Sequence, residues 1–326
     1  MKSFRKSLAA IAAAAAMFAA APVWQASAAE CIAPADPGGG WDFTCRTVGK
    51  LLYDLKLTDE PVQVTNMPGG VGAVAYANVM SKRPSDGTLL VATSTVGVTQ
   101  IAQGKYPADT DVMRWIGMLG TDVGVVVVPK DSPYKTLGDL MEAYKKEPGS
   151  VVAAGSSGAG GWDHIRLLMV AKAAGMSADQ FKQIRWVQFD GGSPAVTQMI
   201  GGQVQVVSTD LGEIAGFVES GDVRILGALS DEPIPAFPDA PTAKSQGFDV
   251  TGYNWRGFYT GGEVSDADYQ KWVDTMKSLY DTADWKKAAE GSGLVPIWRG
   301  GEEFETYVKE QAEQMRTISQ EIGVIQ

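Results

Sequence analysis

Three times along this chain a short β-type run gives way to a glycine-rich turn and then to a helix-like stretch. The first unit joins Cys31-Ile32-Ala33-Pro34 to Pro37-Gly38-Gly39-Gly40-Trp41-Asp42. The second joins Val62-Gln63-Val64-Thr65 to Asn66-Met67-Pro68-Gly69-Gly70-Val71-Gly72, and the third joins Val151-Val152-Ala153-Ala154 to Gly155-Ser156-Ser157-Gly158-Ala159-Gly160-Gly161. Glycine at such turns permits positive φ and a close approach of backbone to ligand. The first N–H groups of the helix that follows have no intrahelical partner and sit at the positive end of its dipole. A chain that builds this device three times can hold several negative groups with few charged side chains, which points to a receptor for a small polyanion.

The amino terminus reads as a leader. Lys2, Arg5 and Lys6 precede an alanine-rich apolar run over 8–21, and Ala26-Ser27-Ala28 offers an A-x-A site, the pattern of a secretory signal peptide (1–28) cleaved after Ala28. That run is too short to span a bilayer, and no later stretch reaches the roughly 18 apolar residues of a transmembrane helix. Glu30, just before Cys31, does not suit a lipoprotein site. The expected mature chain is exported and soluble, with room for two domains of ordinary size. Cleavage removes three basic residues and no acid, so the net charge of −10 falls by three to −13. Such a balance argues against nucleic acid and anionic membranes as partners. It also means that any anion must be met by a locally positive site, which backbone N–H groups can supply. Both cysteines survive cleavage into an oxidising compartment, so a Cys31–Cys45 disulfide is the default reading. A metal or redox pair is the alternative, although the spacing is not C-x-x-C and no histidine is near.

Beyond the leader, strand-like and helix-like runs alternate. Strands are expected at 30–33, 62–65, 88–93, 123–128, 151–154, 184–189, 204–208, 223–228 and 255–260, mostly as unbroken apolar runs suited to burial on both faces. Helices are expected at 43–55, 72–81, 137–147, 162–174, 194–201 and 211–219, which together predict an α/β fold with mainly parallel sheets. The tail reads as two longer amphipathic helices, 265–289 and 302–322, with no strand between them. Val125-Val126-Val127-Val128-Pro129 and Tyr253-Asn254-Trp255-Arg256-Gly257-Phe258-Tyr259 suit two crossings between domains. The division expected is a discontinuous domain 1 (29–127 and 254–326) and an inserted domain 2 (128–253), with ligand between them at the carboxyl ends of the strands.

Several chemistries are missing. His164 is the only histidine, so a Ser-His-Asp triad or a histidine metal site would have to use it. Gly155-Ser156-Ser157-Gly158 is not G-x-S-x-G, and no zinc, EF-hand or P-loop spacing occurs. Gly70-Val71-Gly72-Ala73-Val74-Ala75 matches G-x-G-x-x-A, but the next strand ends Val91-Ala92-Thr93-Ser94 with no acid for a ribose hydroxyl. No cofactor, metal or catalytic set is expected. The enzymatic alternative is an exported hydrolase using Ser156 or Ser157 with His164.

Ala33-Pro34-Ala35-Asp36-Pro37-Gly38-Gly39-Gly40-Trp41-Asp42 resembles the P-x-x-P-G-G-x-x-D loop of Bug-type receptors, the periplasmic solute-binding proteins of tripartite tricarboxylate transporters. Asn66-Met67-Pro68-Gly69-Gly70-Val71-Gly72-Ala73 resembles their N-x-P-G-G-x-G-x segment, and 155–164 their G-T-P-G-x-G-S-x-x-H loop. Gly191-Gly192-Ser193-Pro194-Ala195 and 241–247 also fit, so the likeness runs in order through the mature chain. Within the family, 30–35, Cys45 and Arg256-Gly257-Phe258-Tyr259 look most like the citrate-type, tricarboxylate subgroup. The resemblance implies a type II-like periplasmic binding protein: two α/β domains joined by a two-strand hinge, with the ligand cleft between them. It also implies closure over a carboxylate held by backbone amides and water, and delivery to membrane permease subunits. A monomer is expected, and presentation of the ligand to a membrane sensor kinase is a third reading of the function. Other carboxylates of the family, namely dicarboxylates, amino acids and aromatic acids, are the rival ligands. Ser157 and Gly161 stand where the family has Pro and Ser, so that serine contact does not carry over.

For individual residues, Gly38, Gly39 and Gly40 read as an anion nest, and Gly69, Gly70 and Gly72 repeat it. Ser156, Ser157, Gly158, Ala159 and Gly160 form the loop of the inserted domain and are expected at the ligand. Trp41 either lines the cleft or packs under the loop. Thr93 and Ser94 serve the cleft or cap a helix, and Ser193 has the same two readings. Asp42 and His164 read as structural, and Asp210 as a loop brace at the site. Arg256, in the returning crossover, reads either as a bidentate partner for the extra carboxylate of a tricarboxylate or as a hinge ion pair.

Overall fold

The computed structural model describes residues 28–37, 40–189 and 191–325. Residues 1–27 of the expected leader (1–28), together with Gly38 and Gly39, lie outside the described residues. Among those that are described, no helix is long and apolar enough to cross a membrane.

The elements run in order as follows. First come β1 (Glu30–Ala33), α1 (Gly40–Asp54), β2 (Gln63–Asn66), α2 (Ala73–Lys82), β3 (Leu89–Ser94), α3 (Thr95–Ala102) and β4 (Met113–Pro129). Then follow α4 (Leu137–Lys146), β5 (Val152–Gly155), α5 (Trp162–Ala173), α6 (Ala178–Phe181), β6 (Arg185–Gln188), α7 (Gly192–Ile200), β7 (Val206–Asp210), α8 (Leu211–Glu219) and β8 (Val223–Ala228). The chain ends with β9 (Tyr253–Gly261), α9 (Asp266–Tyr280), α10 (Ala283–Gly291), β10 (Arg299–Gly300) and α11 (Glu302–Glu321).

The strand order is β2-β1-β3-β9-β4-β7-β5-β6, with β8 and β10 also paired to β4. β1 lies parallel to β2 and β3, and β5 parallel to β6 and β7. Every pair made by β4 and β9 is antiparallel, so the expectation of mainly parallel sheets is corrected. The cause is topological. β4 leaves one half of the molecule and β9 returns to it, so they traverse the fold in opposite senses. β4 pairs with β9 up to Val123 and with β7 from Gly124 onward. Its alternating valines face opposite layers: Val123, Val125 and Val127 pack with Val196, Leu211 and Ile214, while Val126 and Val128 pack with Leu137, Leu140 and Ile165. Both faces are buried, which is why the run is unbroken. On the first half, Val48, Leu52, Trp272 and Trp285 cover one face, and Tyr76, Val98, Phe304 and Met315 cover the other.

Two other expectations change. The helix anticipated over 265–289 is two: α9 ends at Tyr280, and Thr282 caps α10 by accepting the Trp285 N–H at 3.1 Å. A strand, β10, does separate α10 from α11; it lies on Gly117 and Met118, where the lack of a Gly117 side chain admits the Arg299 carbonyl and Trp298.

The Cys31–Cys45 disulfide is present, with a sequence separation of 14, and pins β1 to the second turn of α1. A buried ion network does the same for the second half. Arg166 of α5, fully buried, pairs with Asp163 one turn earlier and with Asp210 at the end of β7, and Nη1 also donates to the Gly252 carbonyl at 3.3 Å. Two outcomes follow for urea unfolding. Replacing both cysteines by alanine lowers stability by about 3 kcal/mol, the chain-entropy value for a loop of this length. Arg166→Met leaves two buried carboxylates without their partner and lowers it by about 3–5 kcal/mol; a loss below about 1 kcal/mol would contradict the assigned role of Arg166.

Candidate functional site

Four helices begin at one cavity. Gly40 opens α1, Ser94 caps α3, Gly161 precedes α5 and Asp210 precedes α8, and all four line a cleft of about 380 Å³. Each of these helices has eight residues or more, so the positive ends of their dipoles converge on the same volume, although the Val96, Asp163 and Gly212 N–H groups are already taken by Ser94, Ser157 and Asp122. Of the residues anticipated from sequence, Gly40, Trp41, Ser94, Ser156, Ser157, Gly158, Ala159, Asp210 and Arg256 line this cleft. Gly69, Gly70, Gly72, Thr93, Gly160 and Ser193 do not, and Gly38 and Gly39 lie outside the described residues.

The β1–α1 side is rigidly built. The Trp41 indole donates to Ser94 Oγ at 3.2 Å, and the same oxygen accepts the Val96 N–H at 3.2 Å, so Ser94 both caps α3 and fixes Trp41. Ser94 and Trp41 both line the cleft, and Ser94 is also the cap of α3. Asp42 is nearly fully buried and takes Arg46 Nε at 3.0 Å and Asn66 Nδ2 at 2.8 Å; Asn66 also donates to the Ala35 carbonyl at 2.9 Å. This brace ties the first glycine loop to the end of β2. Gly40 has a second use, because a methyl there would lie 3.3 Å from Nη1 of Arg256. The missing side chain lets the guanidinium sit at the start of α1.

The second glycine loop is different in kind. Gly69, Gly70, Val71 and Gly72 all have positive φ, Val71 at 52°, a conformation unusual for a β-branched residue. Gly72 and Val74 return their N–H groups to the Gly69 carbonyl. The loop's contribution to the cleft is the Val71 side chain, and Tyr106 holds the turn by donating to the Val71 carbonyl at 2.8 Å.

Across the cleft, Asp163 organises the third loop. Its Oδ2 accepts the Ser156 N–H at 2.7 Å and the Ser156 hydroxyl, while Ser157 Oγ accepts the Asp163 N–H at 3.0 Å. His164 Nδ1 accepts the Gly160 N–H at 2.9 Å, and its ring packs against Trp186. Burial pushes the His164 pKa down to about 4, so it is a neutral support for the loop. Gly160 instead faces the other half, where its carbonyl accepts from Gln103, which also reaches Ser319 of α11. Ser193 donates to the Glu213 carbonyl.

The floor carries charge of both signs. Arg256 lies 3.6 Å from Asp210, whose other partners are Arg166 and Asn254. Burial alone would raise Asp210, but Arg166 and Arg256 hold it below the ordinary carboxylate range. Burial and Asp210 push Glu213 up; burial also raises Asp163 against the pull of Arg166, and lowers Lys105. Lys105, Gln100, Gln188, Glu213 and Asn254 are lining residues that sequence reasoning missed. A usable signal existed for Arg166, a charge three residues after Asp163 on a helix whose middle, Ile165 to Ala171, is otherwise apolar. Among the described residues, no three His, Cys, Asp or Glu side chains are grouped to hold a metal ion.

The sequence and the fold are similar to those of known proteins. Residues 53–324 match the family described as Tripartite tricarboxylate transporter family receptor. A protein encoded in the gbd 5′ region of Cupriavidus necator is 26% identical over 289 residues, covering 88% of this chain and 85% of its own. The structure of a TctC solute-binding protein from Polaromonas superposes with a TM-score of 0.74 at 21% identity, covering 90% of this chain and 97% of that one. MatC from Rhodopseudomonas palustris, solved with bound malate, gives 0.71 at 19%, covering 89% and 98%. The structural likenesses establish the fold, a periplasmic-binding-protein architecture of two α/β domains joined by two strands with a cleft between them. The chain belongs to the family of tripartite tricarboxylate transporter receptors.

Proposed function

We propose that this receptor is exported to the periplasm, captures an organic carboxylate of the citrate type in the cleft described above, and delivers it to membrane permease subunits. Domain 1 (29–127 and 254–326) and domain 2 (128–253) close over the ligand about β4 and β9. The observation that carries this reading is the convergence of four helix N-termini with the Arg256 guanidinium on one cavity. Charged hydrogen bonds contribute about 1.5–3 kcal/mol each. A few of them, with helix-terminus contributions of about 0.3–2 kcal/mol, reach the roughly −8 kcal/mol of a micromolar site after ordering costs. Arg256 and Lys105 are the cations available to a multiply charged ligand.

A second reading, a dicarboxylate or an acidic amino acid, is favoured by Asp163, Asp210 and Glu213 in the same wall. These acids suit fewer carboxylates, or a ligand that also bears an ammonium group. The hydrolase alternative fits poorly. Ser156 donates to Asp163, Ser157 accepts from Asp163 and His164 accepts from Gly160, so neither hydroxyl is engaged by the base that would activate it.

A thermal-shift screen of the mature protein against citrate, isocitrate, cis-aconitate, tricarballylate, succinate, glutamate, aspartate and terephthalate separates the readings. A ligand that binds only the folded state raises the melting temperature. Shifts confined to the tricarboxylates are expected, and shifts confined to succinate or the amino acids transfer the assignment to the second reading. Arg256→Ala is expected to weaken citrate by about 1.5–3 kcal/mol and succinate by less; equal losses in calorimetry would remove Arg256 from specificity.

A further inference from the structure

Asp122 lies outside the cleft lining, in β4 beside the point where that strand changes its partner, and only 3% of it is exposed. Its Oδ1 accepts the Gly212 N–H at 3.0 Å, and its Oδ2 lies over the Gly212 Cα. Of the guanidinium groups nearby, Arg166 pairs with Asp163 and Asp210, and Arg256 lies 3.6 Å from Asp210 and pulls on Asp122 without an ion pair to it. Directly across the β4–β9 ladder from Asp122 stands Asn254, so the two side chains share one face of the sheet. Asn254 is also 3% exposed, and its Nδ2 donates to Asp210, which fixes the orientation of the amide. Its Oδ1 is buried and has no donor among the described residues. A buried acceptor without a donor calls for an explanation, and a protonated carboxyl is a donor.

The surrounding groups favour the same state. Asp210 from β7, Glu213 from α8 and Asp163 from α5 face this region with Arg166 from α5 and Arg256 from β9, so four carboxylates including Asp122 share two guanidinium groups. The segment around Ser292 and Val295 that packs on Gly212 and Thr121 adds no titratable group.

We propose that Asp122 is held as the neutral carboxylic acid, its O–H donated to Asn254 Oδ1, and that through Asn254 and Asp210 it acts as a positioning residue for Arg256 at the anion site. Burial and the neighbouring Asp210 push its pKa up to about 8, in keeping with this arrangement. The chain of contacts then runs from Asp122 to Asn254, from Asn254 to Asp210, and from Asp210 to Arg256. Loss of the proton above that pH would set one more negative charge in the network beneath the cleft.

Asp122→Asn is the test, because asparagine can donate to Asn254 and still accept from Gly212. An unfolded aspartate titrates near about 3.9, so the folded wild type binds an extra proton from there up to about 8. Its stability contribution is complete below about pH 4 and is lost as pH rises through about 8. Asp122→Asn should therefore melt increasingly above the wild type across that window and hold a constant lead beyond it, whereas Asp122→Leu should melt below both at low pH. Infrared spectra of aspartate-labelled protein at neutral pH should show a protonated carboxyl band in the wild type that Asp122→Asn lacks. A variant gap independent of pH, failure of Asp122→Asn to fold, or no such band overturns the proposal. The effect on ligand rests on the carboxylate reading of the cleft, with citrate as the probe: affinity should fall several-fold above about pH 8 in the wild type and stay level in Asp122→Asn. If citrate does not bind at all, the carboxylate assignment fails while the melting and infrared arms still decide the state of Asp122.

Discussion

The guanidinium of Arg166 joins the first turn of α5, the end of β7 and the backbone just ahead of β9. Without it Asp163 and Asp210 would stand in the interior as uncompensated charges, a state more costly than having no charges there. With it, each carboxylate can spend its remaining oxygen on the site. Asp163 shapes the loop over 155–161 through Ser156, and Asp210 receives Asn254 and lies against Arg256. The cleft is thus supported by a charge network whose hub, Arg166, stays outside the lining while Asp163, Asp210 and Arg256 reach its wall among helix N-termini and short polar side chains.

This arrangement shows how a net-acidic chain could build the anion site proposed above. The positive charge at the cleft comes from helix starts, from Lys105 and from the Arg256 guanidinium seated over Gly40, while Asp42 and Asp163 are turned to bracing loops. Two connections between the halves set how that potential is presented. β4 and β9 carry the chain across, and Gln103 bridges the Gly160 carbonyl to Ser319 of α11. Val71, held at positive φ with its side chain at the cleft, adds an apolar patch beside Trp41 and Val96. That surface suits the carbon skeleton of a ligand whose charged ends reach the helix termini.

Much of this was readable in advance, for local reasons. β1 and β8 fall where their apolar runs end, and α8 matches its expected span, because these elements are short, buried and bounded by strong turn residues. What was not readable depends on distant partners. α3 is rich in β-branched residues and is not among the expected elements; burial on nearly every side and the Ser94 cap make it a helix. The first part of β4 holds Gly117 and Gly120, poor strand residues whose value appears only once β10 and Val295 lie against them. Gly40 reads as a nest residue, yet its space for Arg256 depends on a side chain more than two hundred positions away. Likewise the Gly69–Gly72 turn, similar in sequence to the first loop, closes its N–H groups on itself and offers the cleft a valine.

The central claim is that a carboxylate sits where the starts of α1 and α3, the 155–161 loop and Arg256 meet. A crystal structure of the mature protein with the acid that most raises its melting temperature tests this most directly. The account predicts a carboxylate within hydrogen-bonding distance of the Arg256 guanidinium and of backbone N–H groups at the start of α1 or in the 155–161 loop. A ligand bound elsewhere, such as the groove between α5 and α11 lined by Met169 and Tyr307, or one in the cleft that leaves Arg256 paired only with Asp210, would contradict it.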